Sequence, residues 1–308
     1  MEMIFNNMTR EDTMTDWHDT GDGPNTDNYL DYLLTNRTFT AGAVAAAVAS
    51  LGPAVERCAA GRPVRVLDAG TGAGGALPEL DSLCDTRDHG GTVLAVDIDR
   101  AAVDLAREVA EGSEHVDVRV GDVRDIAAVA AATGQTYDLI WSSDVIWPGT
   151  FDEPADIVDA FSRILAPGGV LALFTTNYYQ SMLLPGHTRL ERLIRTASEK
   201  TWGLPDDGPH QYERLGAWMR LAGLQDITPT SFPLIALSTD PSARDYLETI
   251  VWPEMRHAAS ANGRAAGMSD DDFSRVDELL DPYSPQWIGA DPDAFVLQPT
   301  VLWTGRAE

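Results

Sequence analysis

A chain of 308 residues with 44 % hydrophobic content can bury the core of one large α/β domain or two small ones, which excludes disordered, collagen-like and disulfide-scaffold classes. Its 48 Asp and Glu outnumber 22 Lys and Arg for a net charge of −26, so neither a nucleic-acid backbone nor an anionic membrane is an expected partner. Cys58 and Cys84 have no metal-ligand spacing, no apolar run reaches about 18 residues, and the acidic start lacks a signal-peptide pattern, so the expected setting is the cytoplasm.

In chain order, residues 1–24 read as a flexible tail of Met and polar residues. An N-terminal helical cap follows over residues 25–60. Tyr29, Tyr32, Leu33 and Leu34 recur at three- and four-residue steps, alanine-rich Ala41–Ser50 continues the pattern, and Gly52 with Pro53 is expected to stop it. From residue 61 the period changes. Short apolar runs at Val64–Ala69, Thr92–Asp97, Val116–Gly121, Tyr137–Ser142 and Gly169–Thr175 alternate with helix-like segments, which predicts a parallel sheet with right-handed crossovers. The unbroken apolar stretch Leu171–Phe174 predicts burial on both faces.

Beyond Thr176 the alternation loosens. Helices are expected over Thr188–Lys200 and Tyr212–Leu221, and a strand broken by Pro229 and Pro233 over Ile227–Leu237. A helical stretch from Ser242 to about His257, kinked at Pro253, precedes a helix capped by Ser269. Ala294–Gly305 alternates as a last strand. Residues 61–308 thus read as the main domain, with lid insertions at about 177–211 and 240–292.

The first strand runs into the turn Asp68-Ala69-Gly70-Thr71-Gly72-Ala73-Gly74-Gly75, where glycines allow a sharp bend and close approach of a ligand to main-chain N–H groups. Gly70, Gly72 and Gly75 also satisfy a dinucleotide fingerprint, so an NAD(P)-dependent oxidoreductase fits this turn equally. Later strand ends separate the two readings. Asp97 closes the second strand, where a carboxylate can accept both ribose hydroxyls, with Ile98 beside it as a flat apolar contact for a purine. Asp122 and Val123 follow the third strand, where an acid can accept from an exocyclic adenine amine, a group for which nicotinamide enzymes have no general need. Asp99 reads as a helix N-cap.

With Tyr137–Asp144 as a fourth strand and Leu165-Ala166-Pro167-Gly168-Gly169 as a turn into a fifth, the chain resembles the class I S-adenosylmethionine-dependent methyltransferases. The resemblance implies a Rossmann-like seven-stranded α/β sheet in the order 3-2-1-4-5-7-6, its last strand antiparallel, with helical lid insertions. It implies S-adenosyl-L-methionine as cofactor and S-adenosyl-L-homocysteine as product. Carried over by position, Gly70 and Gly72 contact the methionine part, Asp68 orients its ammonium, Asp97 holds the ribose, Ile98 and Val123 flank adenine, Asp122 takes its amine, and the Ser142 carbonyl faces the amino-acid portion.

The acceptor must be met by the segments that cover the pocket: Asn25–Arg37, Asp144–Pro148, Asn177–Tyr212 and Ser242–Trp287. His210 and Asp144 are the candidate catalytic groups, with His187 behind them, and no metal is expected. Trp147, Trp202, Trp252 and Tyr246 in these segments, together with Tyr178 and Tyr179, suit an apolar cavity for a small organic molecule. The expected reaction is in-line methyl transfer in that closed pocket. A relative that binds the same cofactor and catalyses a rearrangement or cyclisation would read alike.

Overall fold

The computed structural model describes residues 26–85, 90–204, 208 and 212–308. Among the described residues there are nine strands, the first five separated by helices. The strands are β1 (Val64–Ala69), β2 (Gly91–Asp97), β3 (Val116–Val120), β4 (Tyr137–Ser143), β5 (Leu165–Thr176), β6 (Gln225–Ser231), β7 (Leu234–Leu237), β8 (Phe295–Gln298) and β9 (Thr300–Arg306). Seven of them form one sheet in the order β3-β2-β1-β4-β5-β9-β6, and β9 runs antiparallel to both of its neighbours. The expected order is therefore realised, with β9 in the place of the seventh strand.

Alternation along the buried strands explains why the sheet is covered twice. In β1, Val64 and Val66 pack on one side with α1 (Thr26–Ala59), α2 (Leu77–Asp85) and α3 (Arg100–Val109). Leu67 and Ala69 pack on the other with α4 (Val123–Thr133), α5 (Pro154–Ser162) and α7 (Leu215–Leu221). A third cluster gathers the lid: α6 (Thr188–Thr201), α8 (Pro241–Tyr246), a π-helical turn over Leu247–Val251, α9 (Trp252–Asn262) and α10 (Asp270–Leu280). Burying these apolar faces supplies the main driving force for the layering.

Three elements differ from the sequence reading, each for a local reason. Helix α1 passes through Gly52 and Pro53 to Ala59, because Leu51, Val55 and Ala59 bury one continuous face while Pro53 faces solvent. The stretch expected as one strand over 227–237 is two strands in different sheets: Phe232 donates its N–H to Thr300 at the break, and β7 pairs with β8 instead. The last strand is likewise divided, at Pro299, which has no N–H to offer a ladder. At Pro253 the helical run from Pro241 to Asn262 carries a π turn, Leu247–Val251, directly before the proline, whose missing N–H leaves the regular ladder incomplete. Ser269 does cap α10, in a reciprocal box with Asp272.

By length and composition Tyr29–Ala59 would suffice to cross a bilayer, yet Ala47, Val48, Val55 and Ala59 of this helix are spent on the sheet.

Candidate functional site

Three successive strand ends are tied to each other by backbone. Gly70 and Thr71 donate to the Val96 carbonyl at 2.8 and 2.9 Å, and Gly121 donates to the Asp97 carbonyl at 2.9 Å. The ends of β1, β2 and β3 thus form one rim. Gly70 has φ +82°, and a Cβ there would lie 2.3 Å from Cγ2 of Val145, so only glycine fits both the bend and the packing.

Asp97 is nearly buried and its carboxylate is held in place by two amides, Gly72 N–H to Oδ2 at 2.8 Å and Asp99 N–H to Oδ1 at 2.9 Å. Burial raises its carboxyl and these amides oppose the rise. A carboxylate offers about four acceptor sites, so lone pairs remain for further donors. Asp99 caps α3 by accepting from Ala102 N–H, as its position predicts. Asp122 caps α4 and also pairs with Arg124, whose N–H, Nε and Nη2 all reach it. Beside them Ile98 is 41 % exposed at the rim, whereas Val123 is mostly packed into the core.

Asp68 differs from its neighbours. It is 2 % exposed, its Oδ2 has no hydrogen-bond partner, and Thr71 Oγ1 in the same turn has none either. Burial pushes the Asp68 carboxyl up to about 7, with the nearby Thr71 hydroxyl offsetting part of the rise and the Asp97 charge adding to it. A buried carboxylate oxygen at a glycine turn without a donor is the arrangement that a bound ammonium would complete.

Next to this rim lies a cavity of about 270 Å³. All four covering segments named from the sequence contribute to its wall, which includes Tyr29, Trp147, Tyr178, Trp202 and Tyr246. Ser142, whose hydroxyl donates to the Ala69 carbonyl at 2.7 Å, belongs to both rim and wall. Tyr29 bridges the two regions as well: burial, then the charges of Asp97 and Asp99, hold its hydroxyl proton far above the usual range.

Asp144 stands in this wall with φ +55°, a left-handed conformation that Asp tolerates better than most residues. Its Oδ1 accepts from Thr176 N–H at 2.6 Å, and burial raises its carboxyl against that bond. Two wall residues escaped the sequence reading. Glu254 follows Pro253 in α9, and its carboxyl is raised by burial against a smaller opposing pull from His257. Gln298 ends β8, is 1 % exposed, and its Oε1 has no partner. No local signal marked either; they reach the cavity only because the lid folds back over β4 and β5. Tyr29 and Tyr32 were visible as a helical repeat, which is also how a packing face looks.

Of the other candidates, His210 lies outside the described residues, and His187 is placed ahead of α6, away from the cavity wall, its ring lowered in basicity by burial and by Arg275. Among the described residues no group of three His, Cys, Asp or Glu is arranged to hold a metal ion.

A methyltransferase-domain family matches residues 67–173, the span that carries β1 to β5. The ubiquinone biosynthesis O-methyltransferase of Xylella fastidiosa strain 9a5c is 30 % identical over 206 residues, 63 % of this chain and 76 % of that protein. This chain belongs to the class I S-adenosylmethionine-dependent methyltransferases. A malonyl-[acyl-carrier protein] O-methyltransferase of Enterobacter lignolyticus is 37 % identical over 121 residues, 39 % of this chain and 41 % of that one. The solved phosphoethanolamine N-methyltransferase 2 of Haemonchus contortus, in complex with S-adenosyl-L-methionine, is 16 % identical with a TM-score of 0.41 over 80 % of this chain and 49 % of that one. The methyltransferase uses S-adenosylmethionine as its cofactor, and the rim is the region whose residues suit that group: a partnerless buried carboxylate for an ammonium and a glycine bend for close approach.

Proposed function

We propose that this methyltransferase transfers a methyl group to a small organic molecule held in the cavity beside β4 and β5. When bound, S-adenosylmethionine supplies a sulfonium methyl whose C–S bond breaks, its electron pair going to sulfur, as the acceptor's lone pair bonds the carbon. Asp68 accepts from the cofactor's ammonium, and the backbone at Gly70 and Gly72 follows its methionine part. Asp97 accepts from the ribose hydroxyls with the lone pairs that Gly72 and Asp99 leave free. Ile98 lies against adenine from its exposed position, with Val123 offering only the small part of its side chain that the core leaves uncovered; Asp122 shares its carboxylate between Arg124 and the adenine amine, and the Ser142 carbonyl faces the amino-acid portion.

Positioning and exclusion of water carry much of such a displacement, because the leaving group already bears the charge. The aromatic wall does both. Where the acceptor has a proton to lose, Asp144 takes it, with His210 as the second candidate. Cys58 and Cys84 are not joined in a disulfide, which supports a reducing, cytoplasmic setting. The Xylella relative, an O-methyltransferase of ubiquinone biosynthesis, supports a small-molecule acceptor.

The observation that carries this reading is the partnerless Asp68 Oδ2 at the glycine turn. Thermal unfolding with S-adenosylhomocysteine is the first test: a ligand at 100 times its Kd adds about 2.7 kcal/mol. A shift with S-adenosylhomocysteine and none with NAD(P)H is expected. Incubation with labelled cofactor and cell extract should then label small molecules. Labelling of tRNA or rRNA alone, or cofactor turnover with no methylated product, overturns the proposal.

A further inference from the structure

The charged groups of the cavity wall are all of one sign. Among its described residues there is no Lys or Arg, while two carboxylates, Asp144 and Glu254, stand in a mostly aromatic and aliphatic wall whose other polar groups, Ser, Thr and Tyr hydroxyls and the Gln298 amide, are uncharged. Both charges act on the Tyr32 hydroxyl, so both stand close to one ring of the roof. Gln298 adds a third acceptor. Its amide lies against the Tyr246 hydroxyl, and its Oε1 is left buried with no donor. A buried acceptor without a donor costs about 1–3 kcal/mol, and a carboxylate in apolar surroundings costs more, so such groups persist where a ligand completes them.

Ligand classes sort against this wall. A carboxylate or phosphate would meet like charge and no cation. A neutral alcohol or phenol brings one donor to three acceptor groups. A protonated amine brings several N–H donors and a charge that pairs with carboxylates, and it is attracted to the faces of Tyr and Trp rings. The cavity is at the small end of the range for small-molecule sites.

Resting on the reading of this cavity as the acceptor site, we propose that the acceptor is an amine: an apolar body carrying a basic nitrogen, whose N–H groups are met by Asp144, Glu254 and Gln298. Burial raises both carboxyls in the empty cavity; an amine entering neutral takes a proton from one of them and is held as the ammonium, and returning that proton to the carboxylate frees the nitrogen lone pair for the methyl group.

The test uses the full chain saturated with S-adenosylhomocysteine and three probes of matched body: tryptamine, tryptophol and indole-3-acetate. Calorimetry should give an order tryptamine, tryptophol, indole-3-acetate, with at least a tenfold gap between the first two. Glu254→Gln should weaken tryptamine at least tenfold and leave tryptophol within about twofold, and Asp144→Asn should do the same where it folds. Equal or tighter binding of the alcohol or the acid overturns the proposal. So does failure of tryptamine to saturate below about 1 mM, or tryptamine affinity unchanged in Glu254→Gln. Failure of these arms with S-adenosylhomocysteine still bound removes the amine and leaves the methyltransferase reading intact; loss of S-adenosylhomocysteine binding itself removes the latter.

Discussion

The rim and the chamber beside it are built in contrasting ways. At the rim, polar groups are positioned by backbone: Asp97 by the Gly72 and Asp99 amides, and the strand ends by Val96 and Asp97 carbonyls. In the chamber, side chains from α1, β4, β5, α6, α9 and β8 converge, so the placement of their polar groups follows from how distant elements pack. The first arrangement fixes a constant ligand with geometry inherent in a βα turn. The second leaves identity open to whichever side chains the lid delivers, which is how one cofactor can serve many acceptors.

The sharpest way to break that contrast is Gly70→Val. Left-handed backbone at φ +82° and overlap with Val145 together cost roughly 3 kcal/mol or more, so S-adenosylhomocysteine binding should vanish in calorimetry and the unfolding midpoint should fall. Binding at the native level would mean that the turn is not the cofactor's support. Asp138→Ala probes the opposite end of β4. Asp138 is fully buried and accepts from Arg62, Cys58 and the Arg65 amide. Because Arg62 is 40 % exposed and can be hydrated, the loss should be about 2–3 kcal/mol in denaturant unfolding, with cofactor affinity unchanged. A parallel loss of affinity would show that rim geometry depends on global stability.

Asp97→Ala should weaken S-adenosylhomocysteine by one to two orders of magnitude, since a charge-assisted hydrogen bond is worth roughly 1.5–3 kcal/mol. Unchanged titration heats would remove Asp97 from the site. Asp68 supplies a pH test. Its carboxyl sits at about 7 in the free protein and only the ionised form pairs with an ammonium. Affinity should therefore fall by up to about tenfold per pH unit below that pH and hold level above it until the ligand's own α-ammonium begins to lose its proton, and Asp68→Asn should flatten the acid limb. A native profile flat from pH 8 to 6 contradicts the pairing. The smallest effect is Ser269→Ala. Loss of its cap on α10 should cost about 1 kcal/mol, confined to the lid, with cofactor affinity intact.

The same division decided what the sequence could reveal. Strands β1 to β4 declare themselves within one residue or so at each end: two-sided burial writes apolar runs in β1, β2 and β4, and the edge strand β3 keeps the alternation Val116, Val118, Val120. Asp68, Asp97 and Asp122 could be picked out for the same reason: each is fixed by its place after such a run. Glu254 and Gln298 could not, since their role comes from tertiary convergence of α9 and β8 and neither lies in a local pattern. Prolines misled where packing outweighed them. Pro53 was overridden by the buried face of α1, whereas Pro253 does coincide with an irregularity, the π turn that precedes it. Pro229 sits within the edge strand β6, paired with Trp303, while Pro233 does mark an interruption, one that sends the chain into a second sheet.

Helix α1 belongs to both regions at once. Its 34 residues begin with Tyr29 and Tyr32 over the ligands' space and finish with Val55 and Ala59 sealed at 1 % and 0 % exposure beneath the sheet. One end answers to whatever molecule the cavity holds, the other to close packing. Divergence among descendants of this chain should thus run as a gradient along a single rod, steepest in its opening turns and fading toward Ala59.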